Sequence, residues 1–267
     1  MYVGASPNTF LDLSAYGLVV SRGPGAALAP TQFEAQALPG LDGGAQYSGQ
    51  FGLRRWTIDA WVFGDNYDDT RDNVDTVLRL LNPQSGDRYL KFDSLSDRCW
   101  LGRVCGEIGQ ERRGMEAIRL TIPWQCSRAL AYSTTETTHT TTVNSDPEAW
   151  DEAGTGVAVE GTGYAKPVWV VKNTSGGTSS ALVLQNTTTG EIVSTNTGLP
   201  NGHWARFDGE RQIIEKSSDS GATWSAWMTA RGSYRNIPRL QPGAVNAMTL
   251  TGLSAGSVVC TYRARYL

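Results

Sequence analysis

The chain has 267 residues, 40% hydrophobic and 18% charged, with a formal net charge of -3. That length and balance allow one or two domains with real cores and exclude a disordered chain. The mild acidity, carried against 19 Arg and only 4 Lys, leaves no basic footprint for wrapping nucleic acid. Gly, Thr and Ser are plentiful and Trp reaches nine, which favours many short strands over long helices.

No charged region followed by an apolar segment opens the sequence, so no signal peptide is expected. Apolar runs such as Val168 to Val171 are far too short to span a bilayer, so no membrane insertion is expected. From Arg54 to Phe63 the chain alternates with period two. Trp56, Ile58, Ala60 and Val62 share one face, and Arg55, Thr57, Asp59, Trp61 and Phe63 share the other. The first is a core face. The second begins polar and ends in two large aromatics, which a second layer of the same domain or a partner subunit would cover equally well.

One helix is predicted, over about residues 70–82. Asp68, Asp69 and Thr70 offer capping oxygens, Asp72 adds negative charge to the first turn, and Asn82-Pro83 stops it. Val74, Val77, Leu78 and Leu81 recur at i, i+3, i+4 and i+7 as one apolar stripe. Strands follow at Tyr89 to Phe92 and Cys99 to Val104. Another alternates from Glu116 to Trp124, with Ile118, Leu120, Ile122 and Trp124 as its inward set.

Composition then shifts. Ser133 to Val143 is nearly all Thr and Ser, the pattern of an extended connector or an edge strand. We place the domain boundary there, giving residues 1–133 and 134–267. Beyond it, short strands are predicted at Val168 to Lys172, Leu182 to Gln185, Trp204 to Phe207, Gln212 to Glu215, Met248 to Leu250 and Val258 to Tyr266. Turn chemistry at Asn186 to Gly190, Asn201-Gly202, Asp208-Gly209 and Asp219 to Gly221 separates several of them. The fold class is therefore all-β with one α-helix, in two β-sandwich domains.

No catalytic, metal or cofactor constellation emerges. Cys99, Cys105, Cys126 and Cys260 lack zinc-site spacing and read as buried, reduced thiols. His139 and His203 stand in a Thr tract and a turn, away from any nucleophile arrangement. Asp65 to Asp75 fails as a calcium loop, with Thr70 where the sharp-turn Gly belongs and Thr76 where a bidentate Glu belongs. Gly23 and Gly25 flank Pro24 with no following Lys, so no phosphate cradle is expected. Ser217, Asp219, Gly221 and Trp224 match an Asp-box, which also recurs in sialidase propellers. A single copy without a blade-length repeat argues for one capped hairpin. Trp224 and Trp227, with Tyr234 nearby, form either core or an aromatic platform for a sugar ring.

Taken in order, these features resemble one family. The Trp56 strand, the capped helix ending Leu80-Leu81-Asn82 and the Tyr89 to Phe92 strand resemble the N-terminal domain of siphophage distal tail (Dit) proteins. So does the strand closing with Trp124, Cys126, Ala131, Tyr132 and Ser133, although Ser127-Arg128 stands where that family often has Asp-Pro. Downstream, Gly161 to Gly163 with Pro167-Val168, Asn186 to Gly190, Leu240 to Gly243 with Asn246, and Tyr262 to Tyr266 resemble its C-terminal sandwich, which is galectin-like or carbohydrate-module-like.

The resemblance implies a non-enzymatic structural protein of the phage tail tip, a virion component assembled in the host cytoplasm. Six copies would form a ring through their N-terminal domains, with Trp61 and Phe63 as candidate interface residues and the C-terminal domains at the periphery. The ring would join the tail tube protein to the tail-associated hub protein, with tape measure and receptor-binding proteins as further neighbours. DNA would only transit its lumen, and no cofactor is implied. An alternative function is a carbohydrate-binding adsorption protein that recognises host glycans through Trp224, Trp227 and Tyr234. A glycosidase would need two carboxylates converging in a cleft, and no feature points to such a pair.

Overall fold

The computed structural model describes residues 1–23, 51–114, 116–150, 156–227 and 236–267 in full, and the backbone of 31–37 and 44–50. The chain forms two compact units, one of Met1–Thr134 with Tyr266–Leu267 and one of Thr135–Arg265. Both are antiparallel and β-rich, so the fold is all-β with a single α-helix among the described residues.

The spine of the first unit is a long antiparallel pair. Ala117–Cys126 runs beside Arg55–Phe63 in unbroken register, setting Trp124 opposite Trp56, Ile122 opposite Ile58, Leu120 opposite Ala60 and Ile118 opposite Val62. Directly opposed residues share a face of a pleated sheet, so one alternating pattern reinforces the other and a single apolar face results. The sheet continues as Thr9–Asp12, Tyr2–Ser6, Arg88–Phe92, Leu95–Val104, Ala117–Cys126, Arg55–Phe63 and Leu18–Arg22. Ile58, Ala60, Val62, Leu120, Ile122 and Trp124 are buried in one cluster with Leu13, Leu18, Leu90 and Trp100.

The helix spans Tyr67–Leu80, starting three residues before the expected position. Its acidic opening offers several capping groups, and Asn66 is the one used, its Oδ1 accepting from the Asp69 backbone N–H at 2.9 Å. Asp68 and Asp69 then lie in the first turn, where negative charge suits the helix dipole. Val74, Val77 and Leu81 are buried in the sheet's core cluster, while Leu78 lies half-buried at its margin. Of the four cysteines, Cys99, Cys126 and Cys260 are buried, but Cys105 is exposed, correcting the expectation of four buried thiols; the four form no disulfide.

The second unit pairs two sheets. The larger runs in the order Thr137–Val143, Gly256–Tyr262, Val168–Asn173, Trp204–Asp208, Ile213–Ser217 and Ser225–Ala226, and the smaller Glu148–Trp150, Met248–Thr251, Ala181–Asn186 and Glu191–Gly198. Trp169, Val171, Phe207 and Val258 of the first share a core with Trp150, Leu182, Leu184, Val193 and Leu250 of the second. The Thr tract is thus an edge strand, with Thr137 to Val143 paired to Tyr262 to Gly256.

Several strand expectations change. Gln212 adopts a left-handed φ of 55° in the Asp208 turn, so that strand begins at Ile213. Glu191–Gly198 was not expected from its polar sequence. The last strand divides at Tyr262, because Arg265 turns its carbonyl to the Thr162 and Gly163 N–H groups at 2.9 and 3.0 Å. Gly161 makes that approach possible: its φ is 103°, and a Cβ there would lie 2.5 Å from the Arg265 oxygen.

Candidate assembly surface

The outer face of the Arg55–Phe63 strand changes character along its length. At its start, Arg55 donates from Nε to Gln125 at 2.9 Å. In the middle, Asp59 accepts from Arg119 Nη2 and Thr121 Oγ1, both at 3.2 Å, and Arg119 also reaches Glu111 at 3.7 Å. These polar groups satisfy one another. Past them the face turns aromatic. Trp61 and Phe63 stack with ring centroids 6.4 Å apart and planes 23° from parallel. Val19, opposite Trp61 on the neighbouring strand, is exposed, and Phe63 retains 45% of its accessible surface. Trp61 itself is half-buried. Exposed apolar side chains beside ion-paired groups are the character of an interaction surface.

Arg54, which stands immediately before this strand, was overlooked by the reading of the two faces. The sequence did carry a signal: Arg54 shares parity with Trp56, Ile58, Ala60 and Val62, so alternation sends it toward the core. It is 5% exposed, and its Nε and Nη2 are enclosed without a hydrogen-bond partner among the described residues. Burial pushes the guanidinium below its usual range.

In the second unit the Asp-box forms a capped hairpin turn. Ser217 Oγ donates to Asp219 Oδ1 at 2.6 Å and accepts from the Gly221 N–H at 2.9 Å, while Asp219 Oδ1 accepts from the Thr223 N–H at 2.9 Å. Those bonds, first from Ser217 and then from Thr223, hold the Asp219 carboxyl down at about 2. Gly221 has a φ of 87° over the Trp224 indole.

The three sugar-platform residues do not come together. Trp227 is 4% exposed and belongs to the sandwich core, and Tyr234 lies outside the described residues. Trp224 is half-buried, with the Arg206 guanidinium 4.6 Å from its ring centroid. His139 lies on the edge strand opposite Cys260, and His203 sits beside the Asn201-Gly202 turn. Among the described residues no three His, Cys, Asp or Glu side chains gather as a metal site. No helix there is long and apolar enough to cross a membrane.

No protein-family model and no curated protein sequence matches the chain. Solved structures do match, and over almost its whole length. The crystal structure of the SPP1 Dit protein, described as a paradigm of the hub adsorption apparatus in phages infecting Gram-positive hosts, aligns with a TM-score of 0.70 at 18% identity, covering 98% of this chain and 97% of that one. A chain of the phage p2 baseplate in its activated conformation with Sr gives 0.54 at 9% identity, with 97% and 96% covered. The same baseplate with Ca gives 0.51 at 10% identity, with 95% and 93% covered. From end to end, the chain has the fold of the SPP1 Dit protein.

Proposed function

We propose that this protein is a structural component of a bacteriophage tail tip: a distal tail hub that forms a ring of six copies through its first unit. The supporting observation is the end-to-end match to SPP1 Dit, which embraces both units rather than one common sandwich. In this reading the first unit builds the ring around a lumen that DNA crosses during ejection, and the second unit stands at the periphery. The ring joins the tail tube protein to the tail-associated hub protein, with tape measure and receptor-binding proteins close by. The protein is assembled into the virion in the host cytoplasm and performs no catalysis.

A closed ring places a demand on the subunit surface. Rotational assembly uses a head-to-tail interface, in which two different patches of each copy meet. The Trp61–Phe63 stack supplies one apolar patch of that kind, because its rings lie outside the subunit's own core. The glycan-binding alternative has less behind it, since Trp227 is used in the sandwich core and Arg206 covers Trp224. Electron microscopy of the protein, alone and with its tail partners, tests the reading. Closed six-fold rings are expected in the assembled tip; a different arrangement there would end it.

A further inference from the structure

The main path of the first unit's sheet ends on Leu18–Arg22 at one edge and on Thr9–Asp12 at the other. Each edge carries an apolar feature that the unit leaves open. Near the first, Phe63 keeps 45% of its accessible surface and Val19 54%, beside the half-buried Trp61. At the second, the sheet and the end of the helix leave a groove of about 210 Å³, lined by Val3, Ala5, Thr9, Leu11, Leu80 and Arg88. Leu11 is 41% exposed there. An apolar cavity of about 150 Å³ is enough for a benzene ring, so this groove has room for one aromatic side chain.

The two features also differ in charge. Just beyond Phe63, the Gly64 N–H donates to the Glu116 carbonyl at 3.3 Å, which brings Glu116 to the same end of the strand as Asp65. Both are exposed, and among the described residues neither carboxylate has an ion pair. The groove instead holds Arg88, half-buried and likewise without an ion pair among those residues. One feature is thus an outward ring with acidic neighbours, and the other an apolar hollow with a cation. A two-fold contact would set like against like: carboxylates facing carboxylates, or a hollow facing a hollow. A head-to-tail contact brings two different patches of the same chain together, and here the two are complementary in both shape and charge.

We propose that the groove at the Thr9–Asp12 edge is the receiving half of the ring interface, taking the Phe63 ring of a second copy of this chain, with Arg88 facing that copy's Asp65 and Glu116. The inference rests on the ring reading above and names the two halves of its contact. Seating the ring removes Phe63 and Leu11 from water together, and exclusion of water strengthens the attraction between the charges.

The test uses the full-length parent, Leu11→Glu, Leu11→Lys and Phe63→Ser. Melting is measured where the chain is monomeric, and assembly by sedimentation and electron microscopy where the parent forms rings, free or with its tail partners. Leu11 and Phe63 are exposed, so all three variants should melt close to the parent. Leu11→Glu should weaken assembly by more than about tenfold, because it sets a carboxylate against Asp65 and Glu116, and Leu11→Lys should weaken it less. The decisive step mixes Leu11→Glu with Phe63→Ser. A pair of the two variants retains one intact groove and one intact ring, so the mixture should give dimers and no closed rings. A mixture no more associated than its components would show that the groove and Phe63 do not meet. Equal impairment of Leu11→Glu and Leu11→Lys would overturn the charge pairing. Rings of Leu11→Glu that close normally but no longer join a neighbouring tail protein would give the groove to that protein instead. All three outcomes leave the ring reading standing, whereas a parent that never forms rings overturns both.

Discussion

Asn186 donates from Nδ2 to the Oδ1 of Asn246 at 3.0 Å, and both side chains are 0% exposed. Each amide also holds a loop. Asn186 Oδ1 accepts from the Thr188 N–H at 3.0 Å and its Nδ2 reaches the Arg239 carbonyl at 2.6 Å. Asn246 Oδ1 accepts from the Gln241 N–H at 2.7 Å, and its Nδ2 lies 3.0 Å from the Val157 carbonyl. Loops entering the interior carry backbone groups that must be paired, and these two amides pair them where strands cannot. Asn246→Ala should therefore cost at least about 2 kcal/mol, because it strands buried donors and acceptors rather than merely removing contacts. Chemical denaturation reads that loss; a cost within experimental error would show that water replaces the amide without penalty.

Leu81 is 2% exposed at the end of the helix, whereas Leu78 is half-buried. Leu81→Ala should cost about 2–5 kcal/mol, the range for truncating a leucine within a packed core. Leu78→Ala should cost less, because it abandons less enclosed space. Equal losses in thermal unfolding would mean that the helix packs through both residues alike.

Asp219 gives a pH signature. The unfolded reference for its carboxyl is 3.8 and the folded value is about 2, lowered first by the Ser217 hydroxyl and then by Thr223. A depressed carboxylate contributes stability that is present above the unfolded value and disappears as pH falls through the folded one. The turn should thus hold at neutral pH and loosen between about pH 4 and about pH 2. Asp219→Asn should loosen it at neutral pH and flatten that acid response, read as hydrogen exchange of the Gly221 and Thr223 amides. An unchanged acid response in the variant would assign the transition to another group.

Cys105 alone among the four cysteines is exposed, while burial pushes the Cys126 thiol up to about 12 and the Cys260 thiol well above its ordinary value. A thiol-specific reagent should label one cysteine per native chain, lost in Cys105→Ser, and all four after denaturation, since the thiolate is the reactive form. Two fast equivalents in the native protein would contradict this burial.

Where two alternating patterns met, as in Trp56 to Val62 and Ile118 to Trp124, the residue order already contained the strand, the buried face and the register. The helix stripe was equally plain, though its start was not, because Asn66 competes with several acidic residues for the cap. Local pattern fails where tertiary context decides. Glu191–Gly198 buries only Val193 and Thr195, too little for alternation to mark it as a strand. The Thr tract was compatible with connector or edge strand until Gly256–Tyr262 paired with it. Trp224 and Trp227 are indistinguishable by composition, yet one closes a core and the other lies under an arginine. Arg54 was visible by parity alone, but a charge on a core face is easily set aside as a strand terminus.

Trp61 and Phe63 provide the most direct check on the assembly surface. Their stacked rings lie on the outer face of the sheet, beyond the Asp59–Arg119 pair, and they contribute little to the core on the other side. Substituting exposed side chains away from structural features changes stability by no more than about 0.5 kcal/mol. Phe63 is exposed and Trp61 half-buried, so Trp61→Ser/Phe63→Ser should lower the melting temperature of the monomeric protein only modestly, with the loss coming mainly from Trp61. Aromatic side chains at the centre of an interface carry much of its energy, often about 2 kcal/mol or more each. The same double substitution should thus weaken ring assembly by at least about thirtyfold, and should reduce the aggregation that an exposed aromatic pair promotes at high concentration. Sedimentation equilibrium over a concentration series measures the first effect and light scattering the second. If the doubly substituted protein assembles like the parent, the aromatic end of this strand lies outside the interface, and the ring must close through another surface of the first unit.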